Sequence, residues 1–191
     1  MSGKTQCCPC GPVCGVLSLT VSLETVGCLA EFGDLIAAFA AERDRLNWEW
    51  WDRIEEQHPD DPRALLEALL SEIARRIGGP AYRGCPFLNL ATEFPDDNHP
   101  GRIAARANKK ELRARLATIV AKLDVGDPDR VASQMALIIN GAYVTGLIAR
   151  PADLRGDLID AAMKLLAWNE YTQGAQAKPF SKGRQSKDRR K

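Results

Sequence analysis

Residues 128–150 constrain the fold most, because apolar side chains cover the helix they predict on nearly every side. One face holds Val131, Met135, Ile138, Ala142 and Leu147, and much of the remainder is covered by Leu137, Ile139, Val144 and Ile148. Such a helix must be covered on both sides. One domain can cover one side, so we expect a second copy of the chain to cover the other. In a monomer, the N-terminal segment would have to do so.

The helical period extends through the whole middle of the chain. Asp34 is expected to cap a helix that ends near His58, and the next helix is expected to start near Asp61-Pro62 and to end at Gly78. The predicted helices are 34–57, 61–77, 85–94, about 100–123, 128–150 and one that starts near Pro151. The fold class is therefore all-α, a bundle of about six helices.

Composition and charge divide the chain into three parts. With 191 residues, 45% of them hydrophobic, the chain can bury one good core. The net charge is +1, but residues 175–191 hold seven Lys or Arg against a single Asp, so the remainder is mildly acidic. We predict an atypical segment at 1–33, a helical domain at 34–169 and a basic, disordered tail at 170–191.

The placement of cysteines and the hydropathy of the chain limit the cellular compartments in which the protein is expected. Five of the six cysteines precede residue 29, unlike the even spacing of a disulfide-stapled secreted domain. No run of eighteen apolar residues exists, which argues against a membrane span. A cytoplasmic location without membrane contact is expected.

Residues 1–33 differ from the rest. Between Leu17 and Glu24 apolar and polar residues alternate strictly, a period typical of a half-buried strand. The cysteines at 7, 8, 10 and 14 could in principle hold zinc, but no second pair closes the site, so a disordered or accidental cluster is preferred and no metal is expected. A lipoprotein export signal is disfavoured by Glu24 and by Thr25.

Residues 83–100, RGCPFLNLATEFPDDNHP, carry the most informative motif. A short apolar helix is framed by Gly84-Cys85-Pro86 and by acidic, proline-rich turns. This stretch resembles the middle of the effector-binding domain of TetR-type transcriptional repressors, which it matches at Arg83, Gly84, Cys85, Pro86, Phe87, Glu93, Phe94, Pro95, His99 and Pro100. The resemblance continues through Asn140-Gly141-Ala142-Tyr143 and covers roughly residues 35–168.

The resemblance implies a two-fold homodimer built from the last two helices. The candidate interface residues are Leu137, Val144, Ile148, Leu158, Ala162 and Leu165. It also implies a DNA-binding helix-turn-helix in the first thirty-odd residues. Because residues 1–33 do not show one, we interpret them as a replaced, truncated or frame-shifted remnant, and DNA binding by the chain as doubtful.

The resemblance further implies a pocket for a small hydrophobic or aromatic effector between the helices at 35–57, 85–94 and 128–150. By residue type and helix, the candidates are Trp50, Phe87, Thr92, Met135, Asn140 and Tyr143. For each of these residues, the alternative is a structural role in the core or at the dimer interface. No catalytic motif and no cofactor site is recognisable, so an enzyme is the least favoured class. His58 and His99 are expected to be turn residues, and Cys85 a buried structural thiol.

Three functions follow from these observations. The leading one is the small-molecule-sensing and dimerisation domain of a TetR-like transcriptional regulator. The alternative is a dimerising interaction protein, a truncated regulator that forms heterodimers with an intact paralogue. A weaker third is non-specific nucleic-acid binding by the basic tail, since the basic face of residues 100–123 is interpreted as a solvated surface.

Overall fold

The computed structural model describes residues 23–149 and 153–176, and all regular structure in these ranges is helical. The helices are α1 (Leu23–Gln57), α2 (Pro62–Ile77), α3 (Pro86–Glu93), α4 (Pro100–Val120), α5 (Pro128–Ile148) and α6 (Leu154–Gln176). The predicted all-α bundle of about six helices is confirmed. The cysteines at 7–14, Pro151 and residues 177–191 lie outside the described ranges.

Proline sets the start of four helices, α2 to α5. Proline has no backbone N–H and its φ is already close to the helical value, so it fits the first turn of a helix. The side chains of Asp61 and Asp127 complete two of these starts by accepting hydrogen bonds from backbone N–H groups of the first turn. His99 caps α4 through Nδ1, and His58 bonds the carbonyl of Ile54, so both histidines are turn residues as predicted.

Helix α1 begins earlier than the sequence suggested. It runs without a break from Leu23 through Asp34, so the predicted cap at Asp34 is wrong. Leu23 and Glu24, assigned to a strand, are helical, and the remainder of that strand lies outside the described residues. Helical continuity overrides the local capping preference of Asp34, because the backbone around it already has its hydrogen-bond partners within the helix.

Helix α6 extends into the stretch predicted to be a disordered tail. It continues to Gln176, seven residues past the predicted boundary. A salt bridge between Glu170 and Arg63 ties this last part of α6 to the start of α2. This contact joins the last part of α6 to α2, which the basic composition of residues 175–191 did not predict.

The core is built around α5, which packs against α2, α4 and α6. Val131, Met135 and Ile139 of α5 are completely buried among leucines and isoleucines of the neighbouring helices. By length and composition alone α5 could span a membrane, but its inner side forms the centre of this helical core. A smaller apolar cluster around Phe87 and Leu90 joins α3 to α1 and α4.

We expect Gly146→Ala to destabilise the fold, because a side chain at this glycine of α5 would collide with α2. A Cβ atom there would lie 1.9 Å from Cγ2 of Ile77, so either the Ile77 side chain or one of the two helices must shift. Overpacking of this kind costs about 1–3 kcal/mol, which urea unfolding would detect.

The matched control is Gly33→Ala in α1, where the new Cβ would meet only Pro100 Cγ at 3.8 Å. Because alanine is the better helix former, this variant should gain up to about 1 kcal/mol. Equal stability of Gly146→Ala and the wild type would contradict the tight α2–α5 crossing.

Candidate functional site

A cavity of about 300 Å³ lies between α1, α2, α4, α5 and the chain that joins α2 to α3. Aromatic side chains form much of its wall: Trp48, Trp50, Trp51, Tyr82, Phe87 and Tyr143. Its volume is at the lower end of the range for small-molecule sites, which are typically apolar with a few polar groups. The arrangement suits a compact, flat ligand.

Three tryptophans of α1 supply one side of the cavity. The ring centroids of Trp48 and Trp50 each lie 5.9 Å from that of Trp51, in edge and tilted arrangements that aromatic pairs favour. Trp51 is 1% exposed, and its indole N–H has no hydrogen-bond partner among the described residues. A buried donor without a partner is costly, so an acceptor at this position would be stabilising.

The connection between α2 and α3 closes the cavity from the other side. Gly84 has a φ of +90°, which L side chains rarely adopt, and Asn89 Nδ2 donates to the carbonyl of Arg83 at 3.0 Å to hold the turn. Tyr82 Oη donates to the carbonyl of Tyr143 at 2.8 Å. This bond ties the connection directly to α5.

The charged groups of the cavity are all basic. Arg43, Arg76 and Lys109 line it, and no Asp or Glu is among the described lining residues. Burial raises the pKa of Tyr82 to about 12 and also raises the pKa of Tyr143, so both phenols stay neutral at physiological pH. The cavity is therefore an aromatic chamber with a positive rim.

The structure brings three of the six predicted ligand residues together. Trp50, Phe87 and Tyr143 line the cavity. Met135 is completely buried in the main core more than two helical turns before Tyr143, so it does not reach the cavity. Thr92 is exposed on α3 and donates from Oγ1 to the carbonyl of Leu88 at 2.9 Å.

Asn140 also lies away from the cavity lining. It is partly buried on α5, and its Oδ1 has no hydrogen-bond partner among the described residues. It sits one helical turn before Tyr143, the residue through which α5 lines the cavity among the described residues. A role for Asn140 at a surface between protomers remains a prediction.

Sequence reasoning did not single out several lining residues. Arg43 and Asn47 precede Trp50 by seven and three positions, so helical spacing places them on its face. Lys109 was assigned to the solvated basic face of α4, yet it borders the buried positions Asn108 and Leu112. The helical period of α4 indicates that Lys109 lies next to the buried face, whereas the basic composition of the stretch suggested a solvated surface.

A second depression, of about 720 Å³, adjoins the cavity between α1 and α3. Phe32, Ile36 and Phe39 of α1 line it, together with residues of α3. Arg43 and Tyr82 belong to the linings of both spaces, so they stand at the boundary between the two. The larger space is open and leads towards the N-terminal part of α1.

Two solved structures with a similar helical arrangement are described as TetR regulators. The crystal structure of SCO4454, a TetR-family transcriptional regulator from Streptomyces coelicolor, superposes with a TM-score of 0.68 at 23% identity, covering 72% of each chain. A putative TetR transcriptional regulator from Streptomyces avermitilis, sav143, gives a TM-score of 0.62 at 26% identity, covering 78% of this chain and 81% of that one. This chain has a TetR-like fold. The predicted resemblance to the family is confirmed.

Curated sequences agree with this assignment over a shorter stretch. The HTH-type transcriptional regulator YjdC of Escherichia coli (strain K12) and that of Shigella flexneri are each 29% identical over 85 residues. The match covers 44% of this chain and 44% of each relative, so the chain spans less than half of the relatives' length. No family model matches the sequence.

The TetR-like bundle leaves large apolar side chains of α5 and α6 exposed. Leu137, Val144 and Ile148 of α5 are 71%, 45% and 78% exposed, and Trp168 and Tyr171 of α6 are 65% and 70% exposed. We call these five residues the outer face. The three α5 residues among them were predicted to lie at a dimer interface.

The other three predicted interface residues are placed differently. Leu158 and Ala162 are buried in the protomer's own core, and Leu165 is partly buried against it. Their apolar stripe on α6 points inward because α6 must cover α5 and α2. Trp168 and Tyr171, with ring centroids 6.2 Å apart, are the α6 residues that lie on the exposed side instead.

On helix α4 of the TetR-like bundle, three of the six basic residues are paired with carboxylates. Asp97 accepts a salt bridge from Arg106 at 2.6 Å and lies 3.4 Å from Arg102, while Arg115 pairs with Glu111 and Asp52. These exposed pairs contribute little to stability, but they neutralise much of the positive charge. The arrangement supports the interpretation of this face as a solvated surface.

Proposed function

We propose that this chain is the effector-sensing and dimerising part of a TetR-like transcriptional regulator in the cytoplasm. The observation that carries the proposal is the partly open aromatic cavity beside α1. Small-molecule sites are typically concave and mostly apolar, with a few polar groups that orient the ligand. A space of about 300 Å³ lined by tryptophans and basic side chains has this composition.

Helix α1 offers a direct route from that cavity towards the N-terminus. The cavity residues from Arg43 to Trp51 lie in the C-terminal half of a continuous helix of 35 residues. A ligand that displaces these turns would tilt the same helix at Leu23, because helices move as stiff elements. Sensing in the cavity and a response at residues 1–22 would thus be coupled through one element.

Ligand binding can be tested with the tryptophans themselves. The chain has four tryptophans, three at the cavity and Trp168 on the outer face. In a Trp168→Phe variant, emission comes only from the cavity, so a bound aromatic or acyl compound should change it. The same compound at a hundredfold excess over Kd should add about 2.7 kcal/mol of stability and raise the melting temperature by several degrees.

The matched control for this screen is Thr92→Val, which alters an exposed side chain outside the cavity. Phe87→Ala removes part of the wall and should weaken apolar hits, whereas Thr92→Val should leave them unchanged. If no compound in a broad aromatic and acyl library changes either the emission or the melting temperature, the sensing function is wrong. A dimerising interaction protein would then be the better account.

The outer face should join two protomers about a two-fold axis. Val144→Glu would place a charge in an apolar contact twice per dimer, so light scattering should show monomers. Ile103→Glu is the matched control, because Ile103 is also about half exposed but lies on α4. A dimer that survives Val144→Glu would place the interface elsewhere.

DNA binding by the chain alone should be weak, indifferent to sequence and strongly salt-dependent. Residues 23–57 form one helix, rather than the three short helices of a TetR-type DNA-binding domain. Residues 177–191 hold seven Lys or Arg against one Asp, so positive charge is concentrated there. Deleting residues 177–191 should abolish the binding, while Lys110→Gln on α4 should not, since tail cations neutralise phosphates without reading bases. Tight, operator-selective binding by the shortened chain in a mobility-shift assay would contradict this.

A further inference from the structure

The cavity contains basic groups whose charge the surrounding protein balances only in part. Arg76 is paired with Glu72 at 2.7 Å, and its guanidinium lies 4.5 Å from the centroid of the Trp50 ring. Arg43, on the exposed rim, forms no salt bridge among the described residues. Lys109 likewise pairs with no described carboxylate, although it is partly buried.

The surroundings of Lys109 show what this ammonium group contacts instead. Its Nζ lies 3.4 Å from Cys85 Sγ and 5.2 Å from the centroid of the Tyr143 ring. A thiol sulfur is a weak acceptor, and an aromatic face attracts a cation without accepting its strong hydrogen bonds. The ammonium group has three donors, so it retains capacity for an anionic acceptor inside the cavity.

The nearby acidic groups are engaged elsewhere. Asp44 follows Arg43 on α1, does not line the cavity, and accepts a hydrogen bond at Oδ1 from Asn108 Nδ2 at 2.9 Å. Glu72 is shared between Arg75 and Arg76. The positive charge of Lys109 therefore faces the cavity without a counterion from either group.

A second hydrogen-bond donor without a partner lies in the wall of the same cavity. The buried indole N–H of Trp51 has no acceptor among the described residues, and Trp51 lines the cavity that Lys109 also lines. Of these two donors, Lys109 is the charged one, and a carboxylate is an anionic acceptor that can pair with it. The tryptophan and tyrosine rings around them favour a flat, conjugated body on the same molecule.

We propose that the cavity binds a small aromatic or conjugated carboxylate, with its anionic group held by Lys109 and its ring against the tryptophans of α1. This inference rests on the proposed sensing function and specifies its ligand class. A charge-assisted hydrogen bond in a partly buried site is stronger than a neutral one, because the low local dielectric strengthens the attraction. A neutral analogue of the same shape should therefore bind more weakly, and a cationic analogue most weakly.

The test compares three probes of nearly one shape, 2-naphthoate, 2-naphthamide and 2-naphthylmethylammonium, by calorimetry on the full chain. The wild type should bind the carboxylate at least about tenfold more tightly than the amide. Lys109→Met should lose that preference while keeping its affinity for the amide, and Lys109→Arg should keep most of it. Lys110→Met is the matched control, since Lys110 is the next residue of α4 and is exposed.

Each outcome bears on the proposal separately from the sensing function. Equal or tighter binding of the amide or the cation by the wild type overturns the carboxylate assignment and leaves a sensor of another ligand class. A carboxylate preference that survives Lys109→Met overturns the role of Lys109. Because the probe comparison uses the wild type alone, it stands even if Lys109→Met fails to fold. Failure of every compound to bind, in this series and in the broad screen, overturns the sensing function itself.

Discussion

The burial of α5 is the constraint on which the rest of the structure depends. Its apolar side chains cover most of its circumference, so the chain must place a helix on each inner side, and α2, α4 and α6 take these positions. The close approach at Gly146 then fixes how near α2 can lie. What the protomer leaves uncovered is the outer side of α5, at Leu137, Val144 and Ile148. The need to bury the apolar side chains of α5 thus determines the packing of the interior and also explains the surface proposed for dimerisation.

The cavity lies where a short helix and an irregular connection close the space beside α1, α2, α4 and α5. Helix α3 has only eight residues, and the chain before it turns at Gly84 with a backbone conformation that L side chains rarely adopt. Tyr82 is anchored to α5 by its hydroxyl, which holds this connection across the opening. Large rings from α1 line the opposite side, together with the cationic side chains of Arg43, Arg76 and Lys109. The cavity therefore combines an aromatic wall with positive charge.

The sequence predicted the helices better than it predicted which side of each helix faces inward. Proline and aspartate mark the starts of α2 and α5 by a local backbone effect, so those boundaries were accessible. The direction of a side chain depends on how whole helices pack. Trp50, Phe87 and Tyr143 line the cavity, whereas Met135 is of the apolar type expected there but lies in the main core. Leu158 shows the same limit, since α6 has apolar residues on two sides and only packing decides which is buried.

Under the proposed function, contacts near the N-terminal half of α1 decide whether a ligand can influence residues 1–22. Phe94, at the end of α3, lies 6.4 Å from Phe32 of α1 and stacks on His99 at 3.9 Å, measured between ring centroids. His99 caps α4, and Pro100 approaches Gly33. A ligand that moves α3 against α1 would disturb this aromatic cluster as well as the cavity wall. The ligand would then act on α1 at two places, the cavity wall and the aromatic cluster. Side-chain rotation can absorb a change at one place alone, so a change at both favours a tilt of the whole helix.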